Sequence, residues 1–322
     1  MPIRFLILVA ALLLAQMASA KAQVCSFSAT NIDFGNVNVM GSNNVSTVGT
    51  FTATCTGTPN QSVRICANFN AGSGGANASG SQRYMTQGAT NIAYNIYSSP
   101  GIGQIWGSYT SVWNRSSRPP SMLLNLGASG TATLTQSMYG RLINGQAGIP
   151  TGTFLSSFSG NNTQVAYNYS TVQNCAAAPL PNLTQVPFIV RLTNNSTCTV
   201  ATTTLDFGTM ASLNSAGTAT NSVGITCTAG TQYEVGMSNG TSGGTGPGAR
   251  LMKNVATPQA VTYGIYRDAN HSSPWGDTLG SNTHTGTGTG AVQNFTGYGL
   301  IPAQPTPPAL TYQDTVVVTV TY

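Results

Sequence analysis

Apolar and polar residues alternate along much of the chain. Val63-Arg64-Ile65-Cys66, Ile92-Ala93-Tyr94-Asn95-Ile96-Tyr97 and Val261-Thr262-Tyr263-Gly264-Ile265-Tyr266 each repeat at period two, and residues 315–322 form an unbroken run rich in Val and Thr. That period places one face of a strand against a core and the other in water. Gly- and Asn-rich stretches at 71–80 and 238–248 read as turns between strands. No helical period follows residue 20. Many short strands with frequent turns predict an all-β chain built from sandwiches of two antiparallel sheets.

The same pattern is written twice. Cys25 is followed eight residues later by Asp33-Phe34-Gly35, and Cys198 eight residues later by Asp206-Phe207-Gly208. The next cysteines, Cys55 and Cys227, come 30 and 29 residues after the first of each pair. Arg83-Tyr84-Met85 corresponds to Arg250-Leu251-Met252, and Trp106-Gly107 to Trp275-Gly276. Tyr139-Gly140-Arg141-Leu142-Ile143 corresponds to Gly297-Tyr298-Gly299-Leu300-Ile301, and from there Phe154 aligns with Tyr312 without a gap. The organisation expected is a signal peptide at 1–20, a first domain at 21–175, a linker at 176–197 and a second domain at 198–322. Each domain has the apolar complement for its own core.

The repeat also sorts the cysteines. Cys25–Cys55 and Cys198–Cys227 are equivalent pairs. Cys66 and Cys175 occur only in the first copy and pair by elimination. No close Cys-x-x-Cys spacing with His marks a metal site.

Within the linker, Val186, Phe188, Val190 and Leu192 stand at strict two-residue spacing. Two readings fit equally: a strand that seals the first domain in cis, or the first strand of the second domain. The first copy has no counterpart, because only residues 21–24 lie between the expected cleavage site and Cys25.

Export follows from the N-terminus. Arg4 precedes an apolar run and Ala18-Ser19-Ala20 offers a small-residue cleavage site. Residues 22–24 do not form a lipoprotein box, so Cys25 is not a lipid anchor. Six cysteines in an exported chain read as disulfides. Charged residues are only 5% of the 322, against roughly 25% in ordinary soluble domains.

The ordered set Cys…Asp-Phe-Gly…Cys…Tyr…Trp-Gly, closing on a β-rich end and occurring twice, resembles the spore coat protein U domain family, which includes subunits of archaic chaperone–usher pili. The resemblance implies immunoglobulin-like sandwiches, the second lacking one strand. It implies a periplasmic chaperone that covers the gap, an outer-membrane usher, and a neighbouring subunit whose strand replaces the chaperone's. The C-terminal strand, with Val316, Val318, Val320 and Tyr322, is the edge a chaperone would grip. A head of four residues before Cys25 is too short to donate a strand of roughly 10 residues. The expectation is therefore a two-domain tip subunit that accepts a strand and donates none, with adhesion and biofilm formation as its role. A secreted coat or matrix protein with the same domains is the alternative.

Adhesion is expected in the first domain. Residues 98–124 combine many apolar side chains with Gly, Ser and Pro. Ile102, Tyr109, Val112, Trp113, Ile143 and Ile149 are the surface-contact candidates, on an abiotic or host surface; Trp113 and Tyr109 could also stack on sugar rings. Residues 25–175 carry five arginines (64, 83, 115, 118 and 141) against Asp33, net +4, and residues 198–322 three basic against five acidic side chains, net −2. A mildly basic first domain would favour anionic surfaces. Dispersed arginines without a recognition motif exclude nucleic acid. Enzyme chemistry is excluded by the scarcity of clustered titratable groups: residues 25–175 hold no His and one carboxylate, and His271 and His284 stand apart in a Gly/Thr-rich stretch. No cofactor is expected.

Overall fold

The computed structural model describes residues 21–41, 44–101, 103–109, 117–171, 175 and 182–322. The expected signal peptide, residues 110–116 around Trp113, and linker residues 176–181 lie outside them. Two compact units emerge. The first holds the described parts of Met1–Val37, Ser42–Asn144 and Thr153–Thr193; the second holds those of Asn38–Gly41, Gly145–Gly152 and Asn194–Tyr322.

The alternating segments form twelve strands in the first unit: β1 (Val24–Ala29), β2 (Ile32–Val37), β3 (Ser46–Thr56), β4 (Ser62–Phe69), β5 (Arg83–Gln87), β6 (Thr90–Tyr97), β7 (Ser121–Asn125), β8 (Thr131–Leu142), β9 (Gly152–Phe158), β10 (Thr163–Asn168), β11 (Asn182–Gln185) and β12 (Phe188–Asn194). One sheet runs β1-β3-β8-β6-β5-β9-β12-β2 and the facing sheet β11-β10-β4-β7. Phe51, Phe69, Tyr94, Trp106 and Phe154 are fully buried between them. Each such ring removes apolar surface worth about 1.5–3 kcal/mol from water.

The second unit repeats the plan with eight strands: β13 (Cys198–Thr202), β14 (Gly217–Cys227), β15 (Gln232–Met237), β16 (Arg250–Lys253), β17 (Ala260–Tyr266), β18 (His284–Thr287), β19 (Gln293–Ile301) and β20 (Val318–Thr321). Its sheets run β13-β14-β19-β17-β16 and β18-β15-β20. Its core centres on Val223, Ile225, Val235, Tyr263, Ile265 and Trp275.

Equivalent chemistry holds equivalent places. Cys25 lies directly opposite Cys55 on β1 and β3, and Cys198 opposite Cys227 on β13 and β14. Both pairs are disulfides, and Cys66 joins Cys175 across a span of 109 residues. Trp106 Nε1 donates to the Ala67 carbonyl at 2.7 Å, as Trp275 Nε1 does to Val235 at 2.8 Å.

The paired arginines are structural. Arg83 is fully buried; its Nε donates to Asn70 O at 2.7 Å and its Nη2 to Phe69 O and Trp106 O at 2.7 and 2.6 Å. Arg250 does the same to Ser238 O, Met237 O and Trp275 O. Burial pulls Arg83 down to about 10. The charge of the first domain is therefore smaller at its surface than the residue count implies: Arg83 points inward and donates to three backbone carbonyls.

Candidate strand-acceptor groove

The two units differ at one place, and that difference defines the site. In the first, β12 lies between β9 and β2. Its contacts with β9 run in opposite senses, Thr153 to Thr193 at 3.2 Å and Phe158 to Phe188 at 4.5 Å between ring centroids, as in an antiparallel pair. Its contacts with β2 advance together, Ile189 N to Asn31 Oδ1 and Arg191 to Asp33, as in a parallel pair. Val186, Phe188, Val190 and Leu192 all point inward and are at most 3% exposed. Phe188 stacks on Phe158 and meets Phe69 edge-on at 5.0 Å. Of the two sequence readings, the pairing places this segment in the first unit's sheet.

In the second unit no described strand takes the place of β12. The residues equivalent to β2 and β9 border a groove of about 520 Å³ instead. Lining it are Leu205 and Phe207, which align with Ile32 and Phe34 of the first copy, Tyr312, Asp314 and Val316, which align with Phe154, Ser156 and Phe158, and Met237, Met252 and Tyr263, which correspond to Phe69, Met85 and Tyr94. A glycine on the sheet seats each Asp-Phe-Gly motif: a Cβ at Gly140 would lie 2.5 Å from Ile32 Cγ2, and one at Gly299 2.8 Å from Leu205 Cδ2 and Phe207 Cζ. Met85, Phe154 and Phe158 are fully buried, whereas Met252, Tyr312 and Val316 are half-buried. The wall also holds two carboxylates, Asp206 and Asp314. Asp314 Oδ2 accepts from Tyr263 Oη at 2.8 Å, and its Oδ1 accepts the amides of Thr241, Ser242 and Thr315 at 2.9–3.0 Å. Burial and this bond push the Tyr263 hydroxyl well above its ordinary range.

A second edge differs in the same sense. In the first unit β11 pairs along the outer side of β10, Val165 opposite Thr184. In the second, β20 pairs with β15 on one side, Val320 opposite Val235, and among the described residues its other side is open. Val316 and Val318 line the groove, Val320 packs on the core, and Tyr322 is exposed.

The adhesion candidates are not gathered into one patch by the described residues. Ile102, Val112 and Trp113 lie outside them. Tyr109 is half-buried against the Cys66–Cys175 disulfide and Ala166. Half-buried Ile143 follows β8, its amide bonded to Ala93 O at 3.0 Å. Ile149 lies in Gly145–Gly152, within the second unit, where its carbonyl accepts from Asn194 Nδ2 at 3.2 Å. Asp33 and Asp206 each cap their own glycine, Gly35 and Gly208, at 2.9 and 2.8 Å. His271 packs on Tyr266 and His284 on Trp275 and Phe295, so the two histidines serve different clusters. Among the described residues no three His, Cys, Asp or Glu side chains converge on a metal position.

Two tandem β-sandwiches sharing one disulfide, one buried tryptophan and one carbonyl-bound arginine define a duplicated immunoglobulin-like protein. The chain belongs to the Spore Coat Protein U domain family, which matches residues 10–159 and 184–319. The second match takes in β12, so that strand belongs to the second copy by sequence and to the first unit by structure. The fold is similar to the CsuC–CsuE chaperone–tip subunit pre-assembly complex of archaic chaperone–usher Csu pili from Acinetobacter baumannii, with TM-score 0.54 and 19% identity over 93% of this chain and 100% of that one. The CupB6 tip adhesin from Pseudomonas aeruginosa aligns at TM-score 0.40 and 10% identity, over 93% and 95% of the two chains. No curated protein matches the chain by sequence.

Proposed function

We propose that this protein is the tip subunit of a chaperone–usher pilus, and that its second unit is completed by a strand from the neighbouring subunit. The observation that carries the reading is the contrast between equivalent sites: β12 fills the space between β9 and β2, while the same space beside Phe207 and Tyr312 is a groove. A chain that buries Phe188, Val190 and Leu192 in one copy has a working template for what the other copy accepts. Strand addition supplies ladder hydrogen bonds along the backbone and pockets for alternate side chains.

The open edges also call for protection, since an unpaired edge beside an apolar groove promotes aggregation. A periplasmic chaperone holding β20 and the groove meets that need, and an outer-membrane usher is the place of exchange. Adhesion and biofilm formation are placed on the segment between β6 and β7 by its sequence, with Val112 and Trp113 as leading contacts.

The test is periplasmic expression with and without a candidate chaperone of the chaperone–usher class. Soluble yield that depends on the chaperone, with the two co-purifying, supports the reading. Equal yield of a stable monomer without it overturns the reading and leaves an exported pair of sandwiches.

A further inference from the structure

The strand that completes the first unit carries a charge as well as apolar anchors. Arg191 stands between Val190 and Leu192, and its Nε and Nη2 both donate to Asp33 Oδ2, at 2.8 and 2.6 Å. Asp33 is preset for this: Oδ1 is held by the Gly35 amide at 2.9 Å, with Gly35 at φ 68°, which leaves Oδ2 for the strand. The Arg191 guanidinium, with the Gly35 amide second, holds the Asp33 carboxyl below its ordinary range.

The second unit contains the same device without its cation. Asp206 Oδ1 accepts the Gly208 amide at 2.8 Å, and Gly208 has φ 69°. Arg191–Asp33 is the only salt bridge among the described residues, so Asp206 has no cationic partner there. Asp206 is exposed on the wall of the groove, next to Phe207.

Resting on the acceptor reading above, we infer that the strand completing the second unit carries an arginine that pairs with Asp206. Its place is three residues after the anchor equivalent to Phe188, in the pattern apolar-x-apolar-Arg-apolar. The physical need is register. Alternating apolar residues fit the same pockets after a slip of two, because the side-chain period is two. One charge pair at a fixed position separates the correct register from its neighbours.

The experiment co-refolds the full chain with a labelled synthetic peptide copying residues 184–195, or with the same peptide carrying R191E, and measures affinity by fluorescence anisotropy. The protein is used as it stands and with D206K. With unaltered Asp206 the arginine peptide should bind about fivefold more tightly than the glutamate peptide, the size expected of a partly exposed ion pair. With D206K the preference should invert. A peptide that merely displaces β12 meets Asp33 and keeps its arginine preference in D206K, so only inversion supports the inference. Binding of both peptides with no inversion overturns the inference; equal affinities leave the acceptor groove standing, whereas an arginine preference kept in D206K reports displacement of β12 instead. Binding of neither overturns the acceptor reading, and the inference with it.

Discussion

Phe188 lies face to face on Phe158, the ring centroids 4.5 Å apart and the planes 7° from parallel. One ring comes from the linker and the other from β9, so this contact fastens the late strand to a sheet that otherwise ends at residue 158. Phe188→Ala should destabilise the first unit by about 3–5 kcal/mol, the cost of deleting a buried aromatic ring and leaving a cavity. Urea unfolding followed by tryptophan fluorescence checks it. A loss under 1 kcal/mol would mean that β12 docks without its central anchor.

Arg83 and Arg250 each donate to three backbone carbonyls inside their own units. Arg83→Met keeps the apolar stem and abandons the carbonyls of Phe69, Asn70 and Trp106. A loss of about 3–5 kcal/mol is expected. Arg83→Lys should recover little of it, since an ammonium cannot present the guanidinium fork. Thermal melting of both variants decides the point.

His284 packs its ring edge-on to Trp275 at 4.4 Å, and burial, then the Arg267 charge, lowers its pKa from 6.5. The unfolded chain therefore binds a proton that the folded second unit resists. Stability should be full above pH ~6.5 and fall as pH drops from there toward the lowered folded value, levelling off below it. His284→Gln should flatten the profile over that window. Melting temperatures at half-unit pH steps between 4.5 and 8 test this, and a wild-type profile that rises on acidification would contradict it.

Val112→Ser with Trp113→Ser should cut attachment of piliated cells to plastic severalfold while pilus display, measured with an antibody to the shaft, is unchanged. Unaltered attachment with normal display would remove adhesion from this segment.

Much of this architecture is legible in the sequence because its signals are local. Alternation gives strands, and two cysteines at matching spacing flank an Asp-Phe-Gly in each copy. What is not legible is destination. Val186, Phe188, Val190 and Leu192 alternate as any buried strand would, and period two does not say which sheet receives them. Arg83 counts as surface charge in a composition, because nothing in its neighbours reveals the three carbonyls gathered around it; only its alignment with Arg250 hints at a shared structural duty. The groove is harder still, being a place where side chains are missing. Its traces in the sequence are the second Asp-Phe-Gly, at Asp206, Phe207 and Gly208, and the alternating valines of the C-terminal run, and neither reveals the empty space between them.

Since β12 is covalently joined to the unit it closes, that closure is an internal event, governed by a tether's effective concentration in the millimolar range. It proceeds at a pace indifferent to how many other subunits the cell has made. It also has a fixed place in time: a chain emerging amino end first must present residue 194 before the first unit can shut, whereas shutting the second awaits a molecule from outside. One half of the protein keeps its own schedule, and the other, on the acceptor reading, responds to supply.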